Sequence, residues 1–281
     1  MNENNRLRNV NISQTSGLSH RRFLFMILGI LLFLPPLSFL PQFTGDTNFC
    51  GAYCPRMFFL WHNGGSINNY FMGFVRSYMG VLLVLSIIGV SFFFGRYWCS
   101  HICPIGGATE LGSMILPKWL KIDYSHIPAS PVRYGYFAVY ILAPAIGLGA
   151  LCCSYCNYAT ISRLVGAVFS QGDMTYFFRT AGLINLGLVI MLGFLAKGGR
   201  AYCNFFCPVG ALDAISNRIG LKFGKRIRVN ESKCNSCGTC AGVCPTWAIE
   251  MTDRVTIDHF SCISCRECEK VCGGAINYGK A

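Results

Sequence analysis

The sequence predicts an α-helical membrane protein: four transmembrane helices arranged as two parallel repeats, followed by a small cysteine-rich α+β domain. Three observations carry this reading. Of 281 residues, 53% are hydrophobic and only 13% charged, more apolar than a soluble chain of this size requires. The apolar residues gather into four segments close to the roughly twenty residues of a bilayer crossing. The 17 cysteines recur at fixed spacings, beside those segments and again near the C-terminus.

Residues 1–20 are polar and Asn-rich and read as a flexible cytoplasmic tail. The four apolar segments run from Arg22 to Pro41, Tyr78 to Phe94, Val132 to Leu151 and Thr180 to Ala196. Pro35-Pro36 predicts a kink or early end in the first. That segment read as a signal peptide is the alternative, but its apolar stretch is long and no small-residue cleavage pattern follows. Arg6, Arg8 and Arg21 precede the first segment and Arg22 opens it, and Arg96, Lys118 and Lys121 lie in the Gly95 to Pro131 loop. This bias predicts a multi-pass protein of the inner (cytoplasmic) membrane with both termini cytoplasmic. The membrane domain is then 21–217 and a basic linker 218–232. In the linker Arg218, Lys222, Lys225, Arg226 and Arg228 are expected to meet anionic lipid headgroups. Much of the net charge of +12 sits at such flanking positions, and with no aromatic-basic module, nucleic acid is not an expected partner.

From residue 233 to 281 the apolar periodicity stops. Cys234-x2-Cys237-x2-Cys240-x3-Cys244-Pro245 is followed by Cys262-x2-Cys265-x2-Cys268-x3-Cys272, the doubled spacing of a two-cluster bacterial ferredoxin. Three thiolates come from one tight loop and the fourth crosses over. Cys234, Cys237, Cys240 and Cys272 are therefore expected to hold one [4Fe-4S] cluster, and Cys262, Cys265, Cys268 and Cys244 the other. Zinc commonly uses two C-x2-C pairs across a longer gap, and disulfides are disfavoured in the cytosol. So short a domain has little core of its own, so the clusters also staple it.

An internal repeat links the membrane segments. "GRYWCSHICPIGG" from Gly95 matches "GRAYCNFFCPVGA" from Gly199, so Cys99 and Cys103 have counterparts in Cys203 and Cys207. A weaker pair is "CGAYC" from Cys50 and "CCSYC" from Cys152, and Arg76 and Arg179 correspond as well. Each half reads helix, C-x3-C, helix, C-x3-C, which relates the halves by an axis along the membrane normal. Cys99, Cys103, Cys203 and Cys207 are then expected to form an inner metal centre, and Cys50, Cys54, Cys152 and Cys156 an outer one. Iron–sulfur or another metal remains open at both. Pro after Cys54, Cys103 and Cys207 suits a first helical position. The preceding cysteine then becomes an N-cap, where the helix dipole favours thiolate. Asn157 replaces Pro at the fourth site, and Cys153 is an extra thiol. For the outer cysteines disulfides or unpaired thiols are alternatives; the inner ones read otherwise as small buried residues.

Covalent c-type haem lacks its C-x-x-C-H motif, and phosphate-loop, dinucleotide and Ser-His-Asp signatures are missing too. His101 lies within the inner motif as a ligand or hydrogen-bonding group, or simply as a solvated histidine. A quinone site is readable from His62, Arg56 and Trp61, with Arg76 and Arg179 nearby: His for the proton, Arg for developing charge, aromatics for the ring. The plainer reading of these groups is an interfacial aromatic belt with snorkelling arginines.

The four crossings, the C-x3-C-P motifs at Cys99 and Cys203, and the terminal double cysteine run resemble the NapH-type membrane ferredoxins of periplasmic nitrate reductase systems. The likeness covers most of the chain from Arg21 onward. It implies quinol oxidation and electron delivery to a periplasmic or membrane redox partner, an electron-transfer subunit of an oxidoreductase in an anaerobic respiratory chain. A related arrangement occurs in membrane proteins of copper-oxidase assembly and nitrous oxide reduction systems. The outer cysteine pairs are not part of the motif carried over. The other functional readings are a copper-binding or metal-reducing assembly factor, since thiolates suit copper(I), and a structural anchor of a larger redox complex.

Overall fold

The computed structural model describes residues 19–34, 78–145, 155–168, 170–252, 254–272 and 274–280. The first repeat holds α1 (His20–Phe33), α2 (Tyr78–Phe94), α3 (Tyr97–His101) and α4 (Pro104–Ile115). The second holds α5 (Ala129–Ala145), α6 (Asn157–Gly166) and α7 (Gln171–Phe177). It continues through α8 (Thr180–Val189), a π turn (Ile190–Phe194), α9 (Ala201–Phe205) and α10 (Pro208–Ile219).

The repeats interlock. α2 of the first half packs along α10 of the second, and α4 of the first packs on the π turn that extends α8 of the second. Each half also folds its opening helix onto its own post-motif helix, α1 on α4 and α5 on α10. Both short post-motif helices are thereby clamped from two sides, which fixes whatever their N-termini carry.

The described residues do not form the four transmembrane helices expected. Among the described residues no single helix is long and apolar enough to cross a membrane. The first spans 14 residues, about 21 Å at 1.5 Å per residue against a ~30 Å hydrocarbon core. It stops because Leu34 is already extended (φ −106°, ψ 144°), the conformation imposed on a residue preceding proline. Helix α2 has 17 residues and ends at Gly95, whose φ of +76° turns the chain out of the helix. The fourth apolar segment, Thr180 to Ala196, forms a helix that ends at Phe194; among the described residues only its pairing with Gln171–Phe177 reaches span-like length and composition, and that pair bends by 84° ahead of the segment.

The C-terminal unit is α+β. Strand β1 (Arg226–Val229) pairs antiparallel with β4 (Ile276–Gly279), and β2 (Ile249–Met251) with β3 (Val255–Ile257). Between them lie α11 (Thr239–Gly242) and α12 (Glu267–Val271), which pack on each other. The basic linker is thus partly a strand of this domain. Its Arg226 is buried, donating to the backbone oxygens of Ser91 and Phe92 at 2.9 and 3.0 Å and of Asn217. That side chain ties the domain to the end of α2 instead of meeting headgroups.

Candidate metal centres

The two motif copies are built alike. After the helix-ending Gly95, and again after Gly199 (φ +69°), one turn of helix carries Cys99 or Cys203. The chain then breaks so that Cys103 and Cys207 become N-caps of α4 and α10, with Pro104 and Pro208 in the first helical turn. Cys207 Sγ accepts the Gly210 amide at 3.3 Å, the N-cap geometry in which a helix N-terminus favours thiolate. All four thiols line one apolar cavity of about 110 Å³, walled also by Phe33, Trp98 and Tyr202. Cys156 lines it too. It was expected at a separate outer centre, but the chain returns it to the inner cysteines.

Charged side chains, almost fully withdrawn from solvent, brace this cavity. Arg96 of the first repeat binds Asp213 of the second at 3.0 Å, and Arg200 of the second binds Glu110 of the first at 2.7 Å. Arg22 also binds Glu110, at 2.7 Å, and donates to the Ser100 carbonyl at 3.2 Å. Arg133, in the same place in the other half, donates to the Asn204 carbonyl at 2.7 Å. Ser100 and Asn204 are the residues after Cys99 and Cys203. Charge counting reads Arg22 and Arg96 as orientation signals, and the roles of Glu110 and Asp213 have no motif; the one sequence sign is the Gly-Arg that opens both repeats. Asp213 also accepts from Cys99 Sγ at 3.0 Å. Burial, and then this carboxylate, push the Cys99 thiol well above its ordinary value.

The eight C-terminal thiols fall into two groups. Cys234, Cys237, Cys240 and Cys272 line one cavity, and Cys244, Cys262, Cys265 and Cys268 another, so the fourth cysteine of each run crosses over. Left-handed residues at matched positions, Ser236 with Ser264 and Gly238 with Arg266, curl each loop tightly enough for its cysteines to face inward. Burial pushes Cys262 and Cys240 up to about 12 and Cys265 to about 11, and metal binding would displace these protons. Cys237 is the exposed member, and hydrogen bonding with Thr239 lowers its pKa.

The second group adjoins the C-x3-C cavity. Arg96 and Arg133 both donate to the Phe260 carbonyl, at 2.9 and 2.6 Å, and Arg22 reaches Glu267 at 3.3 Å. Asn204 donates to the Thr246 carbonyl at 2.8 Å. Among the described residues no three His, Cys, Asp or Glu side chains converge on the position of a single ion. The thiols surround voids, as a polynuclear cluster requires. Each C-terminal cavity is lined by four cysteines and by no His, Asp or Glu among its lining residues, the all-thiolate donor set of a [4Fe-4S] cluster. The residues therefore fit iron–sulfur clusters.

Comparison with known proteins agrees with this geometry. A family model described as a 4Fe-4S binding domain matches the chain twice, over 77–123 and 178–228, once on each motif copy. A second model of the same description matches 227–250. The chain carries ferredoxin-type 4Fe-4S domains. It is homologous to the putative electron transport protein YccM of Escherichia coli (strain K12), 30% identical over 183 residues, which cover 59% of this chain and 46% of that protein. The methylamine utilization ferredoxin-type protein MauN of Methylobacillus flagellatus is 26% identical over 169 residues, 58% of this chain and 54% of that one. MauN of Paracoccus denitrificans is 28% identical over 159 residues, 54% and 48% respectively. The chain thus spans about half the length of these curated relatives. No solved structure matches it.

Of the other groups named from sequence, Cys50, Cys54, Cys152, Cys153, His62, Arg56, Trp61 and Arg76 lie outside the described residues. Arg179 is exposed at the start of α8. His101 is not in the wall of the thiol cavity. It is buried, its Nδ1 2.6 Å from Ser100 Oγ and its ring stacked on Tyr97. Burial, then Arg22, lower its pKa to about 4, so the ring is neutral.

Proposed function

We propose that the chain relays electrons between a quinone pool and a partner redox protein through three iron–sulfur centres, in the manner the NapH-type resemblance implies. The observation that carries this reading is the succession of three thiol-lined cavities. One lies in the apolar interlocked repeats, one is bonded to them through Phe260 and Glu267, and one opens at the exposed Cys237. Clusters held there supply one-electron carriers. The protein's own part is to hold the three sites in fixed succession, through arginines that bond both to carboxylates of the repeats and to the loop of the middle site. Two [4Fe-4S] clusters are assigned to the eight C-terminal thiols and the third centre to the C-x3-C cavity.

The inner (cytoplasmic) membrane is the proposed location. Phe23, Leu24, Phe25, Leu28 and Leu31 on α1, and Leu82, Leu85, Phe93 and Phe94 on α2, are large apolar side chains left exposed. Such contiguous faces suit acyl chains better than water, and lipid is the occupant proposed for them. The test is direct. The full chain, reconstituted anaerobically with iron and sulfide in phospholipid vesicles, should float with the lipid, and a short-chain quinol should bleach its cluster absorbance. Reduction by dithionite with none by quinol would remove the quinone from this proposal.

A further inference from the structure

Among the described residues five thiols stand at the wall of the C-x3-C cavity, and a four-thiolate centre needs four. We infer that Cys156 is a ligand of this centre and that Cys99 is the thiol left out. The inference rests on the reading of the cavity as a metal centre and goes on to name its ligand set: Cys103, Cys156, Cys203 and Cys207.

Cys156 shares a construction with two of the motif cysteines. It is the N-cap of α6, a helix of 10 residues, and its Sγ accepts the Ala159 amide at 3.4 Å, three residues on. Cys207 does the same with Gly210, and Cys103 occupies the N-cap of α4. Three helix N-termini therefore bring cysteine caps to one apolar cavity. Each directs the positive end of its dipole at an all-thiolate, anionic group. Next to Cys156, Asn157 is 1% exposed with neither amide atom hydrogen-bonded in the protein.

Cys99 and Cys203 both lie inside short helices and cap neither; what sets Cys99 apart is that its Sγ donates to Asp213 Oδ2 at 3.0 Å. A thiolate there would face a carboxylate at hydrogen-bonding distance, in a site with little solvent to screen the repulsion. As a thiol, Cys99 instead satisfies one oxygen of a carboxylate that is itself fully buried. Ligation by the other four cysteines releases their protons and leaves that hydrogen bond intact.

Serine variants of the full chain decide between the ligand sets. Serine is a good N-cap and a good donor to a carboxylate, so Cys156→Ser keeps the cap and Cys99→Ser keeps the bond to Asp213. The probe is ferrous iron and sulfide added anaerobically. The readouts are iron count and Mössbauer spectrum, with the two C-terminal clusters as internal evidence of folding. About twelve irons are expected in the unaltered chain and about eight in Cys103→Ser/Cys207→Ser. Cys156→Ser should fall towards about eight or shift the third component of the spectrum, and Cys99→Ser should stay near twelve with that component unchanged. The reverse pattern, or an unchanged Cys156→Ser, overturns the inference while leaving the centre in place. An unaltered chain with only about eight irons, insensitive to the Cys103/Cys207 pair, overturns the reading beneath it as well.

Discussion

The Arg96 guanidinium, contributed by the first repeat, meets the Asp213 carboxylate of the second at 3.0 Å, and neither side chain has any solvent exposure. Arg200 and Glu110 repeat the exchange in the opposite direction. Two halves of one chain are thus pinned to each other through ion pairs that border the thiol cavity. A buried pair of this kind adds little net stability over an apolar substitute, but removing one partner strands the other charge, at a cost of about 3–5 kcal/mol.

Asp213→Asn is accordingly expected to lower the thermal unfolding midpoint by about 6–20 °C, at the 2–4 °C per kcal/mol of a chain this size. Glu110→Gln should do at least as much, because Glu110 serves both Arg22 and Arg200. The double change Arg96→Met with Asp213→Leu should recover a large part of the loss. Single variants that melt within about 2 °C of the parent would show that the pairs are not uncompensated when broken.

Gly106 tests the same packing sterically. A Cβ there would collide with the Arg200 guanidinium, whereas one at Gly89, within α2, would meet nothing within 4 Å. Gly106→Ala must displace a guanidinium held by Glu110 and the Cys99 carbonyl, and overpacking of this kind costs about 1–3 kcal/mol. Gly89→Ala should instead gain about 0.5–1 kcal/mol from helix propensity. Parallel denaturation curves should move in opposite directions; equal shifts would refute the steric account.

How far these features are legible in the sequence depends on how local they are. The crossing of Cys244 and Cys272 follows from motif spacing, because tight loops with left-handed residues leave the thiols little choice. Cys103 and Cys207 as helix caps are readable from the proline that follows each. Helix ends are legible where Gly95 stops α2 at the bound that the apolar segment gives, and not where Leu34 ends α1 ahead of Pro41. Cys156 is placed by how the chain returns after α5, a tertiary event with no spacing signature. The buried arginines are hidden for a further reason: a charge census gives Arg22 and Lys118 the same meaning, although one is buried and the other exposed.

The exposed Cys237 offers a way to damage one C-terminal cluster alone. It belongs with Cys234, Cys240 and Cys272, and these share no cavity with Cys244, Cys262, Cys265 and Cys268. Cys237→Ala is expected to remove or degrade about four irons and leave the remaining cluster signals in the electron paramagnetic resonance spectrum. Loss of every signal together would mean that the two sites fold as one unit.

A pH dependence follows from two histidines. Burial, then the charges of Arg226 and Arg218, lower the pKa of His259 from 6.5 to about 4; His101 is lowered to about 4 as well. Unfolding restores the ordinary value, so between pH 6.5 and about 4 the unfolded chain binds more protons than the folded one, and stability falls as pH falls. The contribution is fully present above pH 6.5. Discounted for the partial exposure of His259, the loss from that residue between pH 6.5 and 5.5 is about 0.5–1 kcal/mol. His259→Gln cannot take up this proton, so its unfolding midpoint should vary less over that pH interval than the parent's, with the His101 share of the slope remaining. Midpoints measured at 6.5, 6.0 and 5.5 check the sign: a variant at least as pH-sensitive as the parent would mean that His259 is protonated in the folded protein.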